Sequence, residues 1–524
     1  MIPHRARGVA RPVVVLVLTV LLCGLAAGCS GGESDGSSSR SSPTPKPVEG
    51  DPSASAPRPS AGRAGYYRQQ LVWTTCRDDN KCARLWVPLD HAKPKGRAIS
   101  ISVLKVPAGG PDRMGSMVIN PGGPGVSGLD YAARADEAFG SVVRRAYDIV
   151  GFDPRGVGRS TPVECVSDQQ LNALVAGDPD PDTAAEQRAS DRLLRRLGEA
   201  CLEKDGELAR HVSTVEVAKD MDILRAALGD ARLTYVGSSY GTAIGATYAD
   251  LFPKRVRRMV LDGALDPALS TVELNLGTAR GFETALRAYV AACVGKEECF
   301  LGSTVDEGVR RIDSFLQSVQ DRPLTSSSGR SVSGGEAFYG VSAPLYHESL
   351  WPVLDKALQD AFGGDGSLLL TVADSYLRRN AEGEYQDNGF QALFAINCLD
   401  RDDAMPSSQV RRYLPRFEKA SPTFGAASAY SIAACDVWPI HSGRVPKPVH
   451  ATGSAPIMVV GTTRDPATPL VWARALARQL DNAALVTRDG DGHLGYRRGN
   501  SCVDDTVERY LVSGSIPPRD VTCA

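Results

Sequence analysis

Tyr235-Val236-Gly237-Ser238-Ser239-Tyr240-Gly241-Thr242 is a short β-prone run that ends in a G-x-S-x-G pentapeptide and passes into an Ala- and Gly-rich helical pattern. A serine between small residues at a sharp strand-to-helix turn has its hydroxyl pushed out at the edge of a sheet. Flanking glycines tolerate the strained backbone and the close approach of neighbours. Ser239 is therefore a candidate nucleophile. So loose a pattern arises by accident on the order of once in a few chains of this length, and the rest of the sequence has to support it.

A serine hydroxyl is a poor nucleophile until a histidine takes its proton, and the histidine needs an acid to fix its tautomer. Downstream, Pro456-Ile457-Met458-Val459-Val460-Gly461 reads as a buried strand of the parallel type, and the loop after it, residues 461–469, carries Asp465. Residues 483–487 read as the last strand. The turn beyond it, Asp489-Gly490-Asp491-Gly492-His493-Leu494-Gly495, carries His493. The chain order Ser239, Asp465, His493 is that of the α/β-hydrolase triad. Asp262, which closes the strand at 256–261, is the rival acid. Asp465 is preferred because it immediately precedes the histidine-bearing strand, and Asp262 fits a turn better. Asp489 and Asp491 stand too close to His493 in sequence. His91, His211, His347, His441 and His450 keep structural or solvated readings.

Upstream, Met117-Val118-Ile119-Asn120 reads as a strand and runs into Pro121-Gly122-Gly123-Pro124-Gly125-Val126-Ser127-Gly128. Gly123, Gly125 and Gly128 satisfy G-x-G-x-x-G, with Asp153 at the end of the next strand, so a dinucleotide site is one reading. Pro124 lacks an N–H where a pyrophosphate needs donors. A plain structural turn is another reading. The preferred one is an oxyanion loop, in which the backbone N–H groups of Gly123 and Tyr240 approach a developing negative oxygen. In the following turn, residues 153–160, the charged pair Asp153 and Arg155 is expected to brace neighbouring loops without a catalytic role.

With 42% hydrophobic and 23% charged residues in 524, the chain can bury a large core. A formal net charge of -2 and the lack of any lysine- and arginine-rich block exclude a nucleic-acid footprint. Arg5, Arg7 and Arg11, the apolar run 13–22, and Leu25-Ala26-Ala27-Gly28-Cys29 have the layout of an export signal. Ala-Ala-Gly-Cys resembles the lipobox of bacterial lipoproteins, with Cys29 as the lipidated residue, although Ala26 stands where leucine is preferred. Of twelve cysteines, Cys23 and Cys29 belong to the signal, and the other ten suggest disulfides in an exported protein. Consecutive pairing (Cys76-Cys82, Cys165-Cys201, Cys293-Cys299, Cys398-Cys435, Cys502-Cys523) closes only short local loops and is the expectation. No C-x-x-C or clustered ligand set implies a metal. His347-Glu348 starts like H-E-x-x-H, but Trp351 takes the second histidine's place.

The organisation expected is a lipoprotein-type signal at 1–28, a Ser/Gly/Pro tether at 29–65 too poor in apolar residues to fold, a first core part at 66–269, a mainly helical cap at 270–440 and a second core part at 441–524. Residues 71–73, 83–87 and 99–106 read as opening antiparallel strands. The fold class is α/β, a mostly parallel sheet flanked by helices. The long gap before residue 456 reads against one simple sheet and for a cap over the active site.

Asn120-Pro121-Gly122-Gly123-Pro124-Gly125, Asp153-Pro154-Arg155-Gly156, Gly237-Ser238-Ser239-Tyr240-Gly241, residues 461–469 and Gly492-His493 together resemble the secreted tripeptidyl aminopeptidases of the prolyl aminopeptidase-like branch of the α/β hydrolases. The likeness runs from about Cys76 to Cys523, with Asn120 where prolyl aminopeptidases have histidine. It implies an α/β-hydrolase fold, no cofactor, and peptide substrates cut from a free N-terminus, with the cap limiting how much chain enters. Ser239 would attack, His493 shuttle the proton and Asp465 orient His493. Thr468 could support the acid loop, and Asp400 or Glu348 could anchor the substrate's ammonium group. The rivals are a carboxylesterase with the same triad and, from another class, a solute-binding lipoprotein, which has no need of that triad order. Membrane attachment would be only through lipid on Cys29, and oligomeric state is not readable.

Overall fold

The strand that leads to Ser239 lies inside a ten-stranded sheet. The computed structural model describes Pro59, residues 62–518 and residues 520–524. The export signal, Cys29 and most of the tether lie outside the described residues. Strands β1 (Thr74–Cys76), β2 (Asn80–Pro88), β3 (Ala98–Val106), β4 (Ser116–Asn120), β5 (Asp148–Phe152), β6 (Leu233–Ser238) and β7 (Val256–Asp262) come first. A long insertion follows, with a small hairpin of β8 (Leu324–Thr325) and β9 (Ser331–Val332). Then come β10 (Ile457–Arg464), β11 (Ala483–Asp491) and β12 (Val521–Cys523). The order in the large sheet is β1-β2-β3-β5-β4-β6-β7-β10-β11-β12, and every pairing from β5 onward is parallel.

The near-continuous apolar runs of these strands follow from burial on both faces. Successive side chains point to opposite faces. Val118, Val150, Met259, Leu261 and Val459 pack into one apolar layer, while Met117, Ile119, Ile149, Val260, Met458 and Val460 pack into the other.

Three expectations are corrected. The insertion does not split the sheet: β10 pairs directly with β7, Ile457 against Met259, so the chain leaves at one strand end and returns beside it. Residues 71–73 form no strand. The edge of β2 that they would have paired is already satisfied at Trp86, whose N–H and C=O are taken by the Gln69 side chain at 2.9 and 2.8 Å. The strand at 483–491 is not the last, because β12 adds outside it, joined to the helix Ser501–Ser513 through Cys502–Cys523. A three-residue strand carries no readable period.

The insertion is mainly helical and has an apolar core of its own around Leu286, Leu354, Leu369 and Phe424. Its helix Gly389–Asp400 instead packs on the sheet side, where Ile396 and Leu399 join the cluster that holds Leu197 and Cys201. Disulfides pair Cys76–Cys82, Cys165–Cys201, Cys293–Cys299, Cys398–Cys435 and Cys502–Cys523. Bonds of this kind belong to an oxidising, extracytoplasmic setting. No helix among the described residues is long and apolar enough to cross a membrane.

Asp153 and Arg155 brace the molecule separately rather than as a pair. Asp153 accepts from Ser127 Oγ at 2.6 Å and from the N–H groups of Leu129 and Arg159 at 3.2 and 2.9 Å. Arg155, fully buried, forks onto Asp220 at 2.6 and 2.7 Å and donates to the carbonyls of Pro88, Leu89 and His211. Burial alone would raise the Asp220 carboxyl, but Arg155 and His91 outweigh it and hold the carboxyl below its ordinary range. Asp90, His211 and Glu216 place ligand atoms within 4.8 Å of one another. Arg155 Nη1, 3.7 Å from Glu216, already supplies the positive charge there.

Candidate active site

Strand β6 stops at Ser238 and the helix Tyr240–Leu251 begins one residue later, which leaves Ser239 at φ 56 and ψ -126. That backbone is costly for a residue with a Cβ, and neighbours hold it. Ser239 N–H donates to the Asp262 carbonyl at 2.8 Å, and its own carbonyl accepts from Thr242 N and Oγ1 at 2.9 and 2.6 Å. The flanking glycines of the pentapeptide are steric requirements: a Cβ on Gly237 or Gly241 would lie 2.4 Å from the Gly241 oxygen or 2.6 Å from the Asn120 oxygen.

The glycine-rich loop after β4 runs against this turn. A Cβ on Gly122 would stand 2.9 Å from both Ser239 Cβ and Tyr240 N. Neither Gly123 N–H nor Tyr240 N–H has an acceptor among the described residues, and Tyr240 N opens a helix. The free Tyr240 N–H therefore stands next to the Ser239 side chain, and the free Gly123 N–H follows Gly122 on the loop packed against this turn. Such donors can hold an oxyanion.

His493 follows β11 and is buried, as is Asp465 after β10. His493 Nδ1 lies 2.9 Å from each Asp465 oxygen. The carboxylate is held from several directions. Oδ1 accepts from Ala467 N and Thr468 N at 2.9 and 2.8 Å, and Oδ2 from Thr468 Oγ1 and Leu494 N at 3.0 and 3.1 Å. Thr468 Oγ1 is also 3.3 Å from His493 Nδ1. From the insertion, the Tyr346 carbonyl accepts the His493 backbone N–H at 2.8 Å, and the Tyr346 ring stands edge-on to the imidazole at 5.4 Å.

Gly263 brings the serine and histidine turns together. It follows Asp262, whose carbonyl holds Ser239, and a Cβ on it would lie 3.1 Å from both His493 Cε1 and Thr468 Oγ1 and 2.6 Å from Leu494 Cδ2. Its φ of +63 is also unfavourable for a side chain. Gly263→Ala is expected to cost about 1–2 kcal/mol of stability. The turnover rate should fall on the order of 10-fold or more through displacement of the imidazole. Denaturant melts and steady-state kinetics on one preparation check both, and an unchanged rate would contradict this geometry.

Asp262 itself accepts from Gly495 N and Tyr496 N at 2.8 and 3.0 Å, so it secures the loop after His493 rather than the imidazole. Burial raises its carboxyl to about 6, against the pull of those two donors.

The family model described as "TAP-like protein" matches residues 421–523, which hold Asp465 and His493. Over 480 residues the chain is 38% identical to the "Serine protease Hip1" of Mycobacterium tuberculosis, covering 87% of this chain and 91% of that protein. It is 35% identical to the "Carboxylesterase B" of Mycobacterium tuberculosis over 91% of this chain and 95% of that one. It is 32% identical to the "Tripeptidyl aminopeptidase" of Streptomyces coelicolor over 88% and 87% of the two chains. The chain belongs to the serine hydrolases of the α/β-hydrolase superfamily.

In this hydrolase the insertion walls a cavity of about 320 Å³ with Phe282, Phe338, Tyr339, Tyr346, Phe390 and Phe424. It adjoins both active-site loops: Tyr346 touches His493, and Gly389, next to Phe390, lies against Gly125. Asp178 and Asp191 also line it. Gln320 Nε2 donates to Asp178 Oδ1 and Asp180 Oδ1 at 2.6 Å each, and burial together with Asp178 raises the Asp180 carboxyl to about 7.

Asp400 lies elsewhere. Its carboxylate accepts from Thr214 N at 2.8 Å, from Thr214 Oγ1 and from Tyr240 Oη at 3.4 Å, and it lines neither this cavity nor the second one beside His493. Glu348 is exposed on the wall of that second cavity, in the company of Arg488 and Arg498, which would repel an ammonium group. Neither Tyr346 nor Asp178 is singled out by the sequence. Both come from segments far from the triad, and only the folded insertion shows what they face.

Proposed function

We propose that this hydrolase is an extracytoplasmic serine exopeptidase that releases short peptides, of tripeptide size, from the free N-terminus of peptide substrates. The observation that carries the reading is the aromatic cavity with carboxylates on its wall, next to His493. Aromatic faces suit apolar side chains and cations, and Asp178 with Asp191 supplies the negative charge that an α-ammonium group needs. A pocket of this volume limits how many residues fit on the acyl side. The names of the protease and aminopeptidase relatives support the peptide, and the lipobox-like Ala26-Ala27-Gly28-Cys29 supports export, with lipid on Cys29 holding the protein to the outer face of the cell membrane or with release as a secreted protein.

In this mechanism Ser239 Oγ attacks the scissile carbonyl while His493 Nε2 takes its proton. Asp465 holds Nδ1–H toward itself and stabilises the imidazolium. Gly123 N–H and Tyr240 N–H receive the oxyanion. His493 then gives the proton to the leaving nitrogen, and a water activated by His493 releases the acyl peptide and restores the serine.

The carboxylesterase reading uses the same triad and rests on the 35% identical relative of that name. One comparison separates the two: hydrolysis of a free tripeptide anilide, its N-acetylated form and a simple aryl ester. The exopeptidase reading expects acetylation to lower kcat/KM at least about 10-fold through loss of a charged contact. Equal rates for free and acetylated peptide would refute it, and cleavage of the ester alone would favour the esterase.

A further inference from the structure

A second cavity, of about 370 Å³, shares Tyr346 with the aromatic one and is lined also by His347, Glu348, Arg488, Asp491, His493 and Arg498. Its two arginines are held by backbone carbonyls. Arg498 Nε donates to the His493 carbonyl at 3.1 Å, and Arg488 donates to the carbonyls of Asp491 and Arg498 at 2.8 and 3.2 Å. Neither guanidinium has a carboxylate in ion-pair range among the described residues. Asp491 is taken by Arg464 at 2.7 and 3.1 Å, and the exposed Glu348 makes no ion pair there.

Adjacent cations without a direct ion pair are unfavourable, and the site carries the marks of that. Burial lowers the Arg488 guanidinium below its usual range, and Arg498 pushes the same way against the opposing pull of Asp491, Glu348 and Asp262. Burial and both arginines hold His347 down as well. A concave wall of this kind concentrates positive potential, and guanidinium forks match a carboxylate in two-point contact. The group that must protonate the departing nitrogen is His493, which borders this cavity as well as touching Tyr346 of the aromatic one.

We propose that this second cavity receives the departing fragment and that Arg488 and Arg498 bind a carboxylate on it, close to the cut. The exopeptidase reading enters only in making that fragment a peptide. The placement itself needs no more than the Ser239–His493 chemistry. A carboxylate can come from a free C-terminus one residue past the cut or from an acidic side chain at that residue.

Two substrate pairs distinguish these sources: Ala-Ala-Ala-Ala as free acid against its amide, and Ala-Ala-Ala-Glu amide against Ala-Ala-Ala-Gln amide. In the wild type, at least one pair should show a kcat/KM ratio of about 10 or more in favour of the carboxylate. The ratio should fall close to one in an Arg488→Gln/Arg498→Gln double variant. Because the readout is a ratio, a general loss of activity does not imitate it. Should the double variant not fold, Arg488→Lys keeps the charge but removes the fork and should lower the ratio part-way. A wild-type ratio near one in both pairs, or a ratio that survives the substitutions, overturns the proposal. If peptides are not cut at all, the exopeptidase reading fails on its own. The same test is then made with acetate esters of 4-hydroxybenzoate and 4-hydroxybenzamide, where an equal ratio in wild type and variant overturns the subsite.

Discussion

Ser239→Ala is expected to lower kcat about 10⁶-fold toward any substrate, the scale seen when a triad nucleophile is removed from a serine hydrolase. No neighbour can replace the hydroxyl. Ser238 is buried, and its side chain is engaged with Tyr131. The turn itself should persist, since alanine keeps the Cβ that already stands at φ 56, and the hydrogen bonds that pin the residue are made by its backbone. The melting temperature should therefore be nearly unchanged while labelling by a serine-directed phosphonate disappears. Labelling that survives the substitution would remove Ser239 from the mechanism.

Asp465→Asn is expected to lower kcat about 10⁴-fold at neutral pH, because the histidine loses the partner that fixes its tautomer. The surroundings make this substitution harsher than its size suggests. Each carboxylate oxygen accepts from backbone or hydroxyl donors, Oδ1 from Ala467 N and Thr468 N, Oδ2 from Leu494 N and Thr468 Oγ1. An amide offers one oxygen and one NH₂, so whichever way it turns, its NH₂ meets N–H groups that lose their acceptor. The loop bearing His493 should loosen, and stability should fall by about 1–3 kcal/mol with the rate. Single-turnover kinetics and a urea titration measure the two together. A variant that keeps more than about a tenth of the wild-type rate would contradict an orienting role for Asp465.

The two substitutions remove different things from the molecule. Ser239 is held by its backbone and its side chain makes no hydrogen bond among the described residues, so its removal leaves structure and takes chemistry. Asp465 is held by its side chain, so its replacement disturbs both. Gly263 stands between them, a residue without chemistry whose missing Cβ leaves room for the imidazole.

From the sequence alone came the α/β class and the strand-end positions of Ser239, Asp465 and His493, because these are local properties. Buried parallel strands are continuous apolar runs, a strained turn needs small residues, and loops at the carboxyl ends of such strands lie together. The consecutive disulfides were readable for the same reason, since each closes a short stretch of chain. Local pattern failed where long-range partners decide. The Gln69 side chain occupies the edge that residues 71–73 would have paired, β7 and β10 meet across the whole insertion, and Asp153 and Arg155 find separate partners. Only the tertiary structure drew Asp400 beneath Tyr240, set Glu348 beside two arginines, and brought Tyr346 and the aromatic wall from the insertion onto His493. A sequence carries the period of a strand and the sterics of a turn, but which distant side chains come to face one another depends on how the whole chain packs.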